Sequence, residues 1–549
     1  MQIVGNVCFT AAVSSVTVRI ERTHTDRRTI VELHTTSELS DDRETALADR
    51  EVKHLKKTLG RLDIVFLIVA AVVSIETLGQ VSGFGAETFT WALVLAIFFL
   101  VPYGLIFAET GGAFTGEGGV YVWCRKAFGR PVAAIASLLT WVTQPVWVGG
   151  SMAFIASETW STYVTHFEPG TVTDYAFKLV FIWLTVLAAI ISLRHGKWIP
   201  NIGAILKIAF LIIFLVTTGI YAMRNGVAGL SAGDFSPTVA GLLGVTPLLL
   251  FSYLGFESGN SAAGEMKNPA RDVPIAIARS AGIAAAAYLL PILAILLVLP
   301  ADDITGIGGL MEAVAKVFGV YGAAAPAMLT VTGVVFAMIL MTQGSAWMII
   351  SDRMQAMAAA DGAFFGGFFG RFHPQLGTPV RVNLLSGAVA TVFCLVAMQV
   401  TGSSASIFGV VLSISISTFL LSYVIAIPAA VRLRTRFPGV PRPFRVPLGD
   451  NGFRALGALC FAWVALGSWV AVFPGTLEHL FGIDYDFAET WGVSQVTFEV
   501  FTLGTLAVLG TLGAVGYLRA RPVRAERPAD AALDENTIEV DAGNPAVQL

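Results

Sequence analysis

Twelve long apolar segments, separated by short polar loops, constrain this sequence more than any other feature. Each is close to the ~20 residues that an α-helix needs to cross a bilayer. No stretch between them has the length and mixed composition of a soluble domain. The sequence therefore predicts an all-α integral membrane protein with twelve transmembrane helices. Numbered as spans 1 to 12, the segments lie at 62–84, 90–110, 131–157, 176–193, 200–222, 238–262, 275–299, 324–350, 380–400, 406–430, 455–474 and 497–518.

The composition agrees with this prediction and excludes other classes of protein. Hydrophobic residues make up 55% of the 549 residues and charged residues only 13%, whereas a soluble protein carries roughly 25% charged residues. The formal net charge of -3 is small and acidic. A nucleic-acid partner requires a basic surface, so none is expected, and the expected surroundings are a lipid bilayer.

Cysteine and histidine usage gives no sign of a metal, a cofactor or a catalytic centre. The four cysteines form no C-x-x-C pair, and all seven histidines fall outside the apolar spans, which removes the usual intramembrane metal ligands. An intramembrane enzyme would need a His/Asp or Ser/His constellation within the spans, and the sequence has none. There is also no Walker A motif. We expect no catalytic residue, no metal, no cofactor and no ATP-driven step.

Loop charges predict the orientation. If the N-terminus is cytoplasmic, seventeen Lys and Arg residues lie in the internal loops, whereas the external loops carry Arg224 and Lys316, with Lys178 at a span edge. The positive-inside rule then places both termini in the cytoplasm of a plasma-membrane protein. The polar segments 1–60 and 519–549 are predicted to be mostly disordered cytoplasmic segments.

Spans 1 and 6 are interrupted near their middles by polar residues and glycine. The interruptions read SIETLGQVSGFG at 74–85 and SYLGFESGN at 252–260. The second interruption lies five spans after the first, as two five-helix inverted repeats at 61–222 and 238–430 would require, followed by two extra helices at 455–518. Paired interruptions of this kind indicate the binding site of a transporter. Close helix packing by small residues is an alternative, but it does not explain Glu76 and Glu257 in the same two segments.

Three stretches of the sequence resemble one family, the amino acid/polyamine/organocation permeases. They are AETGGAFTGEGGVYVWCRKAFG at 108–129, SYLGFESGNSAAGEMKNPARDVPIAI at 252–277, and SDRMQAMAAADGAF at 351–364 with HPQLGTPV at 373–380. Within the family, the second stretch most resembles the bacterial glutamate/GABA and arginine/agmatine exchangers. With the twelve spans, the resemblance covers about 60–520. It implies the leucine-transporter fold, with a 5+5 inverted repeat and broken helices 1 and 6.

The resemblance also implies a substrate site at the two interruptions. Unwound helices there bind carboxylate and amino groups largely through backbone atoms, and an aromatic residue of helix 8 covers the substrate. Trp141 and Trp147 are weaker aromatic candidates, and packing is the alternative role for all of them. Span 1 departs from the G-S-G-I-F pattern of many members, so the substrate need not be an ordinary α-amino acid. The implied substrate-binding residues are Ser74, Ile75, Glu76, Thr77, Gly79, Phe251, Ser252, Tyr253, Leu254, Gly255 and Trp347.

Two ionisable residues are candidates for proton coupling. Glu257 follows the interruption of span 6, where a buried carboxylate can exchange a proton during transport; alternatively it joins two helices permanently, and Glu76 has the same two interpretations. Lys207 lies about 10 Å into span 5. Its ammonium either extends to the cytoplasmic interface or, as the resemblance implies, replaces sodium between helices 1, 5 and 8.

Taken together, these observations predict a secondary active transporter of amino acids or related amines. Alternating access would be coupled to protons or to a counter-substrate, and the protein would be a monomer or a homodimer. The alternative is a solute-sensing receptor on the same fold, which would need a folded output domain. A structural role at the inner gate is expected for the loop residues Glu109, Glu117, Gly118, Gly119, Lys267, Asn268, Arg271 and Asp272.

Overall fold

The computed structural model describes most of the membrane-embedded part of the chain. Residues 59–195, 198–227, 229–300, 304, 308–399 and 404–520 are described, together with the backbone of 7–11, 14–22, 29–35 and 538–540. Nearly all regular structure from residue 61 onward is helical. The α-helices are α1 Arg61–Val72, α2 Thr77–Gly83, α3 Glu87–Leu95, α4 Val101–Ala113, α5 Val120–Phe128, α6 Arg130–Trp147, α7 Ala153–Tyr163, α8 Val172–His195, α9 Trp198–Asn225, α10 Val239–Tyr253, α11 Pro269–Val298, α12 Gly309–Phe318, α13 Ala325–Ala360, α14 Val380–Ala397, α15 Ser404–Arg436, α16 Asp450–Val472, α17 Thr476–Leu480, α18 Phe487–Trp491 and α19 Gln495–Arg519.

Every predicted span coincides with one helix or with helices in succession. Ten helical segments of the described chain are long and apolar enough to cross a membrane, and α1 with α2, bent by 49°, makes eleven. At span 6, α10 is a shorter apolar helix, and a 3₁₀-helix over Phe256–Glu265 follows it. The all-helical membrane architecture is confirmed, and the number of twelve crossings stays a prediction.

The helices differ strongly in how much of them is buried. In the most apolar window of Gly409–Arg436, 83% of the residues are buried, against 17% in Gln495–Arg519. Exposed side chains on α9 and α19 are large and apolar, including Ile212, Val216 and Val508. A lipid-facing surface has this composition, because lipid tails replace the water that would penalise it. α15 therefore lies in the protein core and α19 at its edge.

Two π-helical turns interrupt otherwise continuous spans. One covers Ala96–Leu100 between α3 and α4, and the other covers Val148–Met152 between α6 and α7. In the second turn, a Cβ atom on Gly149 would lie 2.1 Å from the carbonyl oxygen of Ala390. Only glycine permits this contact, so the turn lets α14 pack directly on the backbone of the span that carries Trp147.

Four strands occur within the terminal segments. The strands β1 Val7–Ala11, β2 Ser14–Arg22, β3 Thr29–Thr35 and β4 Ile538–Val540 pair in that order, antiparallel throughout. The sequence analysis did not predict these strands. The remaining residues of 1–58 and 521–549 lie outside the described residues, so the prediction of mostly disordered termini stays a prediction.

Candidate functional site

The interruption of span 1 begins where α1 ends at Val72. Val73 is extended, with φ -76° and ψ 95°, and α2 starts at Thr77. The carbonyl groups at the end of α1 lose their helical donors and are satisfied by other helices. Tyr288 of α11 donates its hydroxyl to the Val72 carbonyl (2.9 Å) and accepts from the Ser74 N–H (2.8 Å). One tyrosine thus stabilises both sides of the interruption.

The interruption of span 6 contains a left-handed glycine. α10 ends at Tyr253, Leu254 is extended, and Gly255 has φ +106°. A side chain is disfavoured in this conformation. The space is also taken, because a Cβ atom on Gly255 would lie 2.5 Å from Cη2 of Trp347. The glycine therefore allows both the break and the close approach of the Trp347 ring.

The two interruptions meet through side-chain hydroxyls. The Thr77 and Ser252 hydroxyl oxygens are 3.2 Å apart, and both residues are buried. Each hydroxyl has one proton, so one of the two donates to the other, and the accepting hydroxyl donates its own proton to a backbone carbonyl. The nearby carbonyls are that of Ser74, 2.8 Å from the Thr77 hydroxyl, and that of Leu248, 2.9 Å from the Ser252 hydroxyl. Residues 175 positions apart thus form one polar cluster deep in the helical core.

Lys207 of α9 lies on the α1 side of the first interruption. Its side chain is 1% exposed, and the ammonium does not extend to the surface. It donates to the carbonyls of Ala70 (2.8 Å) and Val73 and to Oε1 of Gln343 (2.6 Å). A cation at the C-terminal end of a helix is favourable. The ammonium therefore connects α1, α9 and α13.

Gln343 of α13 carries this network onward to Glu76. Its side-chain amide donates to Oε1 of Glu76 (2.5 Å) and to the Ser74 hydroxyl (3.1 Å). Glu76 is 4% exposed. Its second oxygen, Oε2, is buried and has no hydrogen-bond partner among the described residues. A buried carboxylate oxygen without a donor is unusual, and it marks a position where a donor from a solute could bind.

Glu257 lies directly beyond the second interruption and is also buried. The hydroxyl groups of Tyr103 on α4 and Tyr423 on α15 donate to its two carboxylate oxygens. Tyr103 in turn accepts from the N–H of Gly255 (2.8 Å). The carboxylate therefore joins the break in span 6 to two other spans. This geometry is compatible with both the proton-coupling and the permanent-linkage interpretations.

Aromatic rings surround the second interruption. The Trp347 ring packs edge-on against Phe419, with centroids 5.6 Å apart. Phe251 lies 4.2 Å from the ring of Trp147 and 5.4 Å from Phe419. Trp147, which sequence reasoning ranked below Trp347, therefore contacts a candidate site residue. Trp141 has another environment, because its indole N–H lies 3.0 Å from Asp352.

All of the implied substrate-binding residues are buried, so the structure is closed over the candidate site. Tyr253 and Gly79 contact helices outside the polar cluster. Tyr253 donates its hydroxyl to the carbonyl of Ala92 (3.0 Å). Gly79 packs on Gly309 of α12, since a Cβ on Gly79 would lie 2.8 Å from the Gly309 Cα. Ile75 and Leu254 contribute buried backbone at the two breaks.

Sequence reasoning missed several residues of this site. Gln343, Tyr288, Tyr103 and Tyr423 bind candidate residues but were not among them. Gln343 could have been noticed, because an amide in the apolar span 8 requires a partner. The three tyrosines carry no such signal, since a lone tyrosine in a span is usually a packing residue.

The ends of the spans that are predicted to face the cytoplasm carry buried ion pairs. Arg353 of α13 is 0% exposed; it pairs with Glu117 at 2.9 Å and with Glu265, and donates to the carbonyl of Gly377 (2.7 Å). This cluster joins the loop before α5, the end of the 3₁₀-helix after α10, and the loop before α14.

A second cluster lies around Glu109 at the end of α4. Its carboxylate pairs with Arg434 (3.0 Å) and Arg442 (3.2 Å). Asp272 pairs with Arg61 at 2.8 Å. Burial lowers the pKa of Arg442, which lies in a loop outside the membrane, and Glu109 opposes that shift. These contacts join span 1 to span 7 and span 2 to span 10 at the ends that are predicted to face the cytoplasm.

Comparison with known proteins identifies relatives across most of the chain. A probable agmatine/putrescine antiporter of Lactococcus lactis is 29% identical over 409 residues, which is 74% of this chain and 85% of that protein. The branched-chain amino acid permease of Bacillus subtilis is 25% identical, covering 72% and 84%. A methylthioribose transporter of the same organism is 23% identical, covering 79% and 95%.

A family model for amino acid permeases matches residues 59–479. The matched region includes both interrupted spans, Lys207, Glu257, Trp347 and the buried ion pairs. It confirms the resemblance that the sequence motifs indicated. The chain is a multi-pass membrane transporter and belongs to the amino acid permease family.

Proposed function

We propose that the protein is a secondary active transporter of amino acids or related amines, working by alternating access in the plasma membrane. The observation that carries the proposal is the contact between the two interruptions, where Thr77 and Ser252 lie 3.2 Å apart. A pair of interrupted helices in corresponding positions of two repeats is typical of a transporter's binding site. The names of the relatives, an amine antiporter and an amino acid permease, support this substrate range.

The proposal includes twelve membrane helices in the leucine-transporter arrangement, with both termini cytoplasmic. The order of helices, interrupted at the first and sixth spans, supports the 5+5 repeat. The basic residues of the internal loops support the orientation. The substrate site would use Ser74, Thr77, Ser252 and Gly255 with the ring of Trp347.

Coupling is proposed to use protons or a counter-substrate. Lys207 supports a sodium-independent mechanism, because its ammonium binds the Ala70 and Val73 carbonyls and thereby supplies the positive charge at the end of α1. Proton coupling is proposed to involve Glu257, whose buried carboxylate joins the break in span 6 to two other spans through Tyr103 and Tyr423. The rival interpretation, a solute-sensing receptor, has no support from the relatives, whose names are those of transporters and permeases.

Uptake into proteoliposomes tests the proposal. Purified protein is reconstituted and supplied with labelled amino acids and polyamines, with and without an internal counter-substrate and with and without a pH gradient. We expect flux of at least one amine or amino acid that saturates and responds to one of these two driving conditions. Flux equal to that of protein-free liposomes for the whole panel would contradict the proposed function.

A further inference from the structure

We infer that Glu76 selects substrates by charge, so that the central site favours an amine without a carboxylate over the α-amino acid with the same side chain. The inference rests on the proposed function, because it names the substrate class of that same site. Four features of the two interruptions lead to it.

The first feature is the unused acceptor of Glu76. Oε1 is held by the Gln343 amide at 2.5 Å, whereas Oε2 is buried without a hydrogen-bond partner among the described residues. Leaving such an oxygen unpaired in a low-dielectric environment is costly. An ammonium or guanidinium group supplies both the missing donor and the opposite charge, whereas a carboxylate supplies neither.

The second feature is that Lys207 leaves this acceptor available. An ammonium has three donors, and those of Lys207 are directed to the Ala70 carbonyl, the Val73 carbonyl and Oε1 of Gln343. All three acceptors are uncharged groups. Lys207 is an electrostatic neighbour of Glu76, but its hydrogen bonds hold α1 and α13 rather than the Glu76 carboxylate.

The third feature is that three backbone N–H groups of the two interruptions, those of Ser74, Thr77 and Gly255, are already bonded within the protein. The Ser74 N–H donates to the hydroxyl of Tyr288 (2.8 Å), and the Thr77 N–H donates to the Ser74 carbonyl (3.2 Å). The Gly255 N–H donates to the hydroxyl of Tyr103 (2.8 Å). These backbone donors already have acceptors inside the protein, so a carboxylate would have to displace them.

The fourth feature is the aromatic surface at the second interruption. Trp147 and Phe251 have ring centroids 4.2 Å apart, and Trp347 and Phe419 continue the same cluster. The face of an aromatic ring attracts cations, and tryptophan does so most strongly. The interruption in span 1 therefore offers a carboxylate, and the interruption in span 6 offers rings, and both favour a cation.

Two matched pairs of solutes isolate the effect of the solute's own carboxylate. Agmatine is arginine without its carboxyl group, and putrescine is ornithine without its carboxyl group. Counterflow into proteoliposomes of the full-length protein should favour each amine over its amino acid.

The loss of one charged hydrogen bond corresponds to about tenfold or more in affinity, so Glu76→Gln should lower the preference for the amine by at least about that factor. Glu76→Asp, which keeps the charge, should retain a preference for the amine.

Glu499→Gln is the matched control. It removes a carboxylate on α19 that accepts a hydrogen bond from its exposed neighbour Gln495. The preference of this variant for the amine over the amino acid should equal that of the wild type. If Glu76→Gln carries no flux, binding of labelled agmatine and arginine to the solubilised variant gives the same ratio. An unchanged ratio in Glu76→Gln, or a wild type that accepts each amino acid as readily as its amine, would overturn the inference alone. A folded wild type that moves no solute of the panel contradicts the proposed function as well.

Discussion

The hydroxyl groups of Thr77 and Ser252 lie 3.2 Å apart, and this contact joins the two interrupted spans directly. Thr77→Val removes the hydroxyl at nearly constant volume, so it separates the hydrogen bond from packing. A buried hydrogen bond contributes ~1 kcal/mol, and we expect the apparent KM for the transported solute to rise about fivefold. Concentration-dependent uptake into proteoliposomes measures this change.

Thr497→Val is a control for the Thr77 substitution, because Thr497 lies at the start of α19, where its hydroxyl contacts Ser494. Its KM should equal that of the wild type. A wild-type KM in Thr77→Val would show that the two interruptions do not act together on the solute.

Gly255 is the second position where a small change tests the site. Alanine at this residue would have to adopt φ +106°, and its Cβ would lie 2.5 Å from the Trp347 ring. The left-handed backbone alone costs ~1–2 kcal/mol for a residue with a side chain. We therefore expect Gly255→Ala to lower the transport rate at least tenfold, because either the break or the ring must move.

Trp347→Phe combined with Gly255→Ala provides the complementary measurement. The smaller ring frees part of the space that the new methyl group requires. The double variant should transport faster than Gly255→Ala alone. Equal rates would mean that the backbone conformation, and not the contact with Trp347, limits transport.

The helical membrane spans and the interruption of span 1 could be predicted because both depend on local sequence. Apolar length determines the spans, and the clustering of Ser74, Glu76 and Gly79 within one span marks an interruption. The partners of these residues could not be predicted in the same way. Gln343 contacts Glu76 across 267 positions of sequence, and nothing in either span indicates which faces meet.

The two ionisable candidates illustrate the same limit. The sequence left open whether Lys207 lies at the interface or between helices, because both positions are compatible with its depth in span 5. In the structure it donates to carbonyls exposed by the interruption of span 1. The position of the Lys207 ammonium depends on the geometry of span 1. The periodicity and composition of span 5 carry no information about that geometry.

Glu257→Gln tests proton coupling. The amide keeps the size of the side chain but cannot exchange a proton near neutral pH. If Glu257 carries the coupled proton, uptake by the variant should vary little between pH 5 and 8, whereas that of the wild type should change. The measurement is uptake by the variant and by the wild type across this pH range, at saturating solute. Glu168→Gln removes an exposed carboxylate, 74% accessible, and should keep the wild-type profile.

Lys207→Ala tests whether the buried ammonium is needed for coupling. The change removes three hydrogen bonds and leaves the carbonyls of Ala70 and Val73 without donors. We expect the response to a pH gradient or counter-substrate to fall at least tenfold, in proteoliposomes at equal protein content. Lys316→Ala, at an exposed position on α12, should not differ from the wild type. Wild-type coupling in Lys207→Ala would assign the ammonium a packing role only.

Arg353 tests the buried ion pairs at the span ends that are predicted to face the cytoplasm. Its guanidinium pairs with Glu117 and Glu265, and all three side chains are buried. Arg353→Met removes the positive charge that Arg353 supplies to both carboxylates, and breaking a buried pair in this way costs ~3–5 kcal/mol. We expect a large fall in the unfolding temperature of the solubilised protein. The triple variant Arg353→Met, Glu117→Gln, Glu265→Gln removes the charges together and should recover much of that loss. If the triple variant is as unstable as Arg353→Met, the instability comes from lost packing around the guanidinium and not from uncompensated charge.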